Sequence, residues 1–236
     1  MASFKDLCNL LRRSEQQPTV WNGNILPQTG FDLIVGHDDV KDIVQRALDS
    51  QETVNLLLIG PPASAKTLFL EGIAEESQDC LYFDGTNTTN KIFDELNLHK
   101  PSVICIDELE KMKRNYQNQL LNFAEDGRVR VVQHNRQFDF DLKCKIFATA
   151  NDVKKISEPL LSRFAPVVMD AYSEEEFVSI AERLLPHLCN GTAEYIAREV
   201  FKVDSDIRRV RAIGRLVRMQ DRREDIKPLI AKMLEY

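Results

Sequence analysis

The 236-residue sequence holds little of what marks unusual chains. Nine glycines and nine prolines are too few for a collagen-like or low-complexity protein. No apolar run approaches the roughly 20 residues that a membrane helix needs. The opening Met1-Ala2-Ser3-Phe4-Lys5-Asp6 has no apolar signal core, so a cytoplasmic location is expected. Positive charge is not in excess: 31 basic against 37 acidic side chains leave a net charge of −6. That balance excludes a protein that coats nucleic acid by charge alone, and leaves room for a local basic site. Five cysteines, at 8, 80, 105, 144 and 189, contain no C-x-x-C pair. They read as reduced, mostly buried thiols, with Cys144 and Cys189 the candidates for reactivity. His37, His99 and His187 have no metal-ligand spacing and read as ordinary structural or surface residues.

What is present is globular: 43% hydrophobic and 29% charged. Residues 1–30 stand apart, with Phe4, Leu7, Leu10 and Leu11 at helical spacing before a linker containing Pro18, Gly23, Pro27 and Gly30. This is a docking helix or one folded back on the body. Over 31–171, short continuous apolar runs alternate with helical patterns. The runs are Leu56–Ile59, Cys80–Phe83, Ser102–Ile106, Lys145–Ala150 and Pro166–Met169. Strands apolar throughout are buried on both faces, which predicts a parallel sheet covered by crossover helices such as Thr67–Glu76. From Tyr172 the strand signal stops. Ser173 and Glu176 form a capping box, and further helices are expected over Ala193–Phe201, Ser205–Met219 and Glu224–Leu234. Residues 172–236 therefore read as a small all-helical unit.

Gly60-Pro61-Pro62-Ala63-Ser64-Ala65-Lys66-Thr67-Leu68 follows the first buried strand and opens a helix. In a phosphate-binding loop so placed, backbone N–H groups and the helix dipole favour an anion. Lys66 reaches the β- and γ-phosphates, and the Thr67 hydroxyl ligates Mg²⁺. The pattern G-x-x-x-x-G-K-[ST] is met except for Ala65 at the second glycine, a substitution that requires ordinary negative φ there. A second element, Val103-Ile104-Cys105-Ile106-Asp107-Glu108, ends a buried strand in two acids. Asp107 suits Mg²⁺ and Glu108 the activation of water, although a strand-end Asp can also be a plain helix cap.

Together these residues resemble the AAA+ ATPases over about 31–217. Phe31-Asp32-Leu33-Ile34-Val35-Gly36-His37 is similar to that family's entry segment, in which Val35 and Gly36 lie against adenine. Asn151 resembles the first sensor, which helps place the water. Leu160-Leu161-Ser162-Arg163-Phe164 resembles the arginine-finger segment, and Arg208 in Asp206-Ile207-Arg208 the second sensor. The resemblance implies an α/β fold: a P-loop core with a five-stranded parallel sheet, followed by a helical lid. It also implies ATP with Mg²⁺, and a homo-oligomeric ring, commonly a hexamer, in which Arg163 acts on a neighbour's nucleotide.

Leu120-Leu121-Asn122-Phe123-Ala124-Glu125-Asp126-Gly127 precedes alternation at Val129–Val132, Phe138 and Phe140, which suits a hairpin. A hairpin here resembles the RuvB-type Holliday-junction motors, MCM helicases and MoxR-type chaperones, and the polar loop Asp84–Asn90 resembles the RuvB type. With the sequence ending at Tyr236, the winged helix of RuvB-type motors is not expected here. Arg208, Arg211, Arg215, Arg218 and Arg222 recur every three or four residues. They form a basic helix face for DNA or an acidic neighbour, or a solvated face paired with Asp204, Asp206, Asp221 and Glu224. His134, Asn135 and Arg136 at the hairpin tip, with Arg128 and Arg130, could face DNA or a partner. The leading expectation is an oligomeric ATPase that remodels DNA or a nucleoprotein complex. The alternatives are a MoxR-like chaperone acting on a protein client, and an ATP-controlled switch with little turnover.

Overall fold

The structure, a computed structural model, describes residues 34–235 apart from 78, 88–90, 134–135, 189–190 and 219–220, together with 20–21, 24–25 and 31. The amphipathic segment Phe4–Leu11 lies outside the described residues, as do His134 and Asn135 and the end of the polar loop at 88–90. Two short strands, β1 (Val20–Trp21) and β2 (Asn24–Ile25), pair antiparallel.

Helix α1 (Asp38–Asp49) leads to β3 (Asn55–Ile59), α2 (Lys66–Glu76), β4 (Cys80–Asp84), α3 (Lys91–His99) and β5 (Val103–Asp107). Then come α4 (Arg114–Asp126), the strands β6 (Arg128–Gln133) and β7 (Arg136–Asp141), β8 (Lys145–Ala150), α5 (Glu158–Leu161) and β9 (Ala165–Val168). Five of these strands form one sheet in the order β4-β5-β8-β3-β9, every neighbouring pair parallel. β6 and β7 form a separate antiparallel hairpin, with Val129 opposite Phe140 and Val131 opposite Phe138.

Strand alternation divides the core into two layers. Leu57, Ile104, Ile106, Ile146 and Ala148 face one cluster, where Phe93 and Leu96 of α3 and Phe123 of α4 pack. Leu56, Leu58, Cys105 and Phe147 face the other, against Val44 of α1 and Phe69 and Ile73 of α2. With both faces covered, the strands have no polar side, which is why their sequences read as unbroken apolar runs. Consecutive strands lie at different places across the sheet, so the loops that leave β3 and β5 open at its carboxyl edge with β8 between them.

After β9 the chain is helical: α6 (Glu174–Leu184), α7 (Thr192–Phe201), α8 (Ile207–Gly214) and α9 (Arg223–Leu234). The Ser173 hydroxyl accepts from Glu176 N at 3.3 Å, and Glu176 Oε2 accepts from Ser173 N at 2.9 Å, which completes the expected capping box. Phe177, Ile180, Ile196, Val210, Ile213 and Ile226 form a third apolar cluster.

The helix expected over Ser205–Met219 is shorter, and this corrects the single basic face. α8 stops at Gly214, packed so closely on α6 that a Cβ there would sit 2.3 Å from Leu185 Cδ2. Arg215 caps its end, Arg218 lies in the following turn, and Arg222 is the N-cap of α9. The regular arginine spacing thus runs across a helix, a turn and a cap. Arg208 pairs with Asp206 at 3.0 Å, as the paired alternative expects, and Arg209, outside the repeat, pairs with Asp204 at 2.8 Å.

Candidate nucleotide site

The loop after β3 returns tightly over the sheet. Gly60 N donates to Ala150 O at 3.2 Å and Met169 N to Ile59 O at 2.7 Å, which ties the loop to the ends of β8 and β9. Gly60 is required by closeness: a Cβ there would meet Met169 O at 2.5 Å and Ser64 Oγ at 2.9 Å. Ala63 and Ala65 both carry left-handed backbone, with φ of 63° and 65°. This corrects the expectation of negative φ at Ala65. The loop's path needs the conformation that glycine adopts freely, and alanine adopts it at a cost of about 1–2 kcal/mol.

α2 begins at Lys66 with no capping side chain and no acidic residue in its first turn, so the positive end of its dipole faces the cleft. The buried Lys66 ammonium donates to Gly60 O at 2.8 Å, Pro61 O at 2.6 Å and Ser64 Oγ at 3.0 Å. Burial lowers its pKa, against the opposing pull of Asp107, Glu110 and Glu108.

Asp107, at the end of β5, gathers three hydroxyls. Thr67 Oγ1 donates to Oδ2 at 3.1 Å, Tyr82 OH to Oδ2 at 3.3 Å, and Thr149 Oγ1 to Oδ1 at 2.5 Å. Burial and the Asp107 charge push the Tyr82 phenol far above its ordinary value, which keeps it a neutral donor. Glu108 follows with φ 54°, and its N–H donates to Thr149 Oγ1 at 2.9 Å. Its carboxylate pairs with Lys111 at 2.6 Å, and that hydrogen bond raises the lysine's pKa. Asn151 follows β8, and both its backbone N and its Nδ2 donate to Glu110 Oε1, at 3.0 and 2.9 Å.

These groups line a cleft of about 520 Å³ between the sheet's carboxyl edge and the helical region. Pro62–Leu68, Asp107, Glu108, Asn151 and Arg208 all border it. Tyr172, Phe177 and Ile207 supply an apolar wall. Val35 and Gly36 do not border it. Val35 instead packs behind that wall, in the cluster that holds Tyr172 and Phe177. Gly60 and Pro61 contribute carbonyls to Lys66 rather than lining the cleft. Sequence reasoning missed Thr149, Tyr82 and Glu71, and gave Arg211 to a basic face rather than to the cleft. Thr149 is one strand across from Asp107, and only the parallel pairing of β5 with β8 brings the two together.

Arg163 stands elsewhere. It does not border its own chain's cleft. Its Nη2 pairs with Glu125 at 2.7 Å, and its Nε is buried without a hydrogen-bond partner among the described residues. Cys105 and Cys144 are buried free thiols whose pKa values burial raises, which argues against reactivity at Cys144, while Cys189 lies outside the described residues. Among the described residues no group of three or more His, Cys, Asp or Glu forms a metal site, and no helix is long and apolar enough to cross a membrane.

A glycine-requiring loop over an uncapped helix, with Lys66, Thr67 and a strand-end Asp107 converging on one cleft, defines a P-loop nucleotide-binding protein. Within that class, residues 56–170 match the family described as ATPase family associated with various cellular activities (AAA). The chain is 28% identical to Lon protease of Acinetobacter baumannii over 181 residues, 64% of this chain and 22% of that protein. It is 25% identical to the DNA replication licensing factor mcm-6 of Caenorhabditis briggsae over 194 residues, 69% of this chain and 24% of that protein. It thus spans less than a quarter of either relative. A solved point mutant of Thermotoga maritima RuvB shares the fold, with a TM-score of 0.63 and 20% identity over 89% of this chain and 72% of that one.

Proposed function

We propose that this chain works in an oligomeric ring, six subunits being the commonest form, and couples ATP hydrolysis to remodelling of DNA or a nucleoprotein complex. One observation carries the reading. Lys66, Thr67, Asp107, Glu108 and Asn151 border a single cleft, while Arg163, the remaining cation that the reaction needs, points away from it. A cleft lined by these groups but not by Arg163 fits an arrangement in which a neighbouring copy supplies that arginine.

In this mechanism the loop amides and Lys66 hold the β- and γ-phosphates. Thr67 Oγ1 and the Asp107 carboxylate, 3.1 Å apart, are hard oxygen donors that fit Mg²⁺, an ion that fills its remaining positions with water and phosphate. When bound, the ion neutralises charge on the phosphates. Glu108 leaves Lys111 and takes a proton from the attacking water. The water oxygen bonds to the γ-phosphorus as the bridge to the β-phosphate breaks, and ADP leaves with that electron pair. Arg163 of the adjacent copy stabilises the charge that develops. Residues 31–171 act as the core and 172–236 as a lid, with Arg208 reading the γ-phosphate and Val35 and Gly36 backing the adenine end. Lid motion on product release moves the β6–β7 hairpin.

Likeness to the RuvB fold, the hairpin before Asn151 and similarity to a DNA replication licensing factor support a nucleic-acid client. Remodelling of a protein client is the second reading. It is favoured because Arg128 is engaged by Asp139 and Asp141, and Arg208 and Arg209 by Asp206 and Asp204. The test is steady-state ATP hydrolysis with and without branched DNA at fixed salt. Glu108→Gln is expected to abolish turnover while ATP binding persists. DNA stimulation that is lost when Arg128 and Arg136 are neutralised supports the first client. Turnover indifferent to DNA supports the second, and tight binding without turnover in the wild type supports a switch instead.

A further inference from the structure

Glu110 does not border the cleft, yet it is 7% exposed and carries a carboxylate oxygen, Oε2, with no hydrogen-bond partner among the described residues. Such a group costs stability unless something else requires it. Its other oxygen accepts twice from Asn151, from the backbone N at 3.0 Å and the side-chain Nδ2 at 2.9 Å. We propose that Glu110 is a positioning residue that sets which edge of the Asn151 amide faces the nucleotide cleft. The proposal rests on the hydrolytic reading above and deepens it.

The local chain explains the placement. The left-handed backbone at Glu108 turns the sequence sharply into the single helical turn Leu109–Lys111. Alternate acids are thereby sent different ways, Glu108 to the cleft and Glu110 into a buried place against Asn151. An amide has a donor edge and an acceptor edge. Because Glu110 Oε1 accepts, the nitrogen of Asn151 must face it, and Oδ1 is the edge left for the cleft. An acceptor there takes one hydrogen of the attacking water while Glu108 takes the other. The two acceptors together turn the water's lone pair toward phosphorus. Without Glu110 the amide is free to flip and offer donors, which hold that water in the wrong orientation.

Length and charge at position 110 separate this role from its rivals. Glu110→Asp keeps the charge and withdraws the carboxylate by one methylene. Glu110→Gln keeps the length and an oxygen that accepts both Asn151 hydrogen bonds. In the full chain, Glu110→Asp is expected to lower kcat at least about tenfold, as misorientation by an ångström does, with KM for ATP, ADP affinity and melting temperature little changed. Glu110→Gln is expected to recover most of that loss. Asn151→Ala is expected to match Glu110→Asp, and the double variant to lose no more than either single. A rate lost in Glu110→Gln but kept in Glu110→Asp overturns the proposal, because charge rather than hydrogen bonding then matters. So does full activity in Glu110→Asp or in Asn151→Ala while Glu108→Gln is dead. If Glu108→Gln and Lys66→Ala themselves turn over at the wild-type rate, it is the hydrolytic reading that has failed. Should Glu110→Asp not fold, the isosteric Glu110→Gln still decides between charge and hydrogen bonding.

Discussion

Ala65 is held at φ 65° at the head of α2, one residue before the lysine that the cleft depends on. Replacing it with glycine relieves a steric cost and adds some freedom to the unfolded chain, so the two effects partly cancel. The expected net gain for Ala65→Gly is about 0.5–1 kcal/mol, a rise of about 2–4 °C or less in melting temperature. A lower melting temperature on thermal unfolding would show the alanine to be unstrained. Gly85 makes the opposite case. Its N–H donates to Asp107 O at 2.8 Å, and a Cβ there would lie 2.2 Å from Glu108 O. Gly85→Ala must therefore push the Asp107–Glu108 turn out of place. The expected result is a loss of about 1–3 kcal/mol with a fall in kcat that exceeds any change in ATP affinity. Denaturant melts beside steady-state kinetics would check both. Residues of this kind divide what a sequence can disclose. Lys66, Thr67 and Asp107 were legible because each occupies a fixed place relative to one strand end. Gly85, Thr149 and Glu110 act through partners 23, 42 and 41 positions away, across neighbouring strands. No local pattern records such pairings.

Among the elements, the strands were legible because each is buried on both faces, so composition alone marks β3, β5 and β8. The crossover helices followed from the distances between strands. The arginine repeat misled for a physical reason: periodicity reports a possible helix, and here the helix ends after two turns at Gly214, which packs closely on Leu185. The start of α6 shows the reverse, a local rule that tertiary structure keeps. Hydrogen bonds from the Ser173 backbone and hydroxyl hold the Glu176 carboxyl below its ordinary value. A lowered folded pKa means that the cap stabilises above the unfolded glutamate value and fades as the pH falls through the folded one. Ser173→Ala is expected to cost about 1 kcal/mol at neutral pH. The gap between variant and wild type should narrow below about pH 4.3, where the unfolded glutamate begins to protonate. Urea melts across that range test it, and a gap that widened in acid would contradict the cap.

For the whole molecule, the decisive fact is that the chain's own cleft and its Arg163 are separate. Arg163 is held in place by Glu125 at 2.7 Å, and its backbone carbonyl accepts from Asn55 Nδ2 at 3.2 Å, which fixes the end of α5 to the start of β3. Arg163 thus sits outside its own chain's cleft, and the arrangement proposed above predicts that a second copy brings its cleft to it. Lys66→Ala removes a subunit's cleft and leaves its finger, and Arg163→Ala does the converse. Each variant alone should be nearly inactive, since a cation supplied in trans is worth about 10³–10⁵ in rate in related chemistry. Mixed in equal amounts and allowed to exchange, they should regain activity, because about a quarter of randomly formed head-to-tail interfaces join an intact cleft to an intact finger. The regained rate should also rise steeply with protein concentration, as assembly does. A mixture as inactive as its parts, under conditions where the oligomer is seen to form, would place Arg163 outside the reaction. Any oligomer seen would then need an explanation other than a shared site.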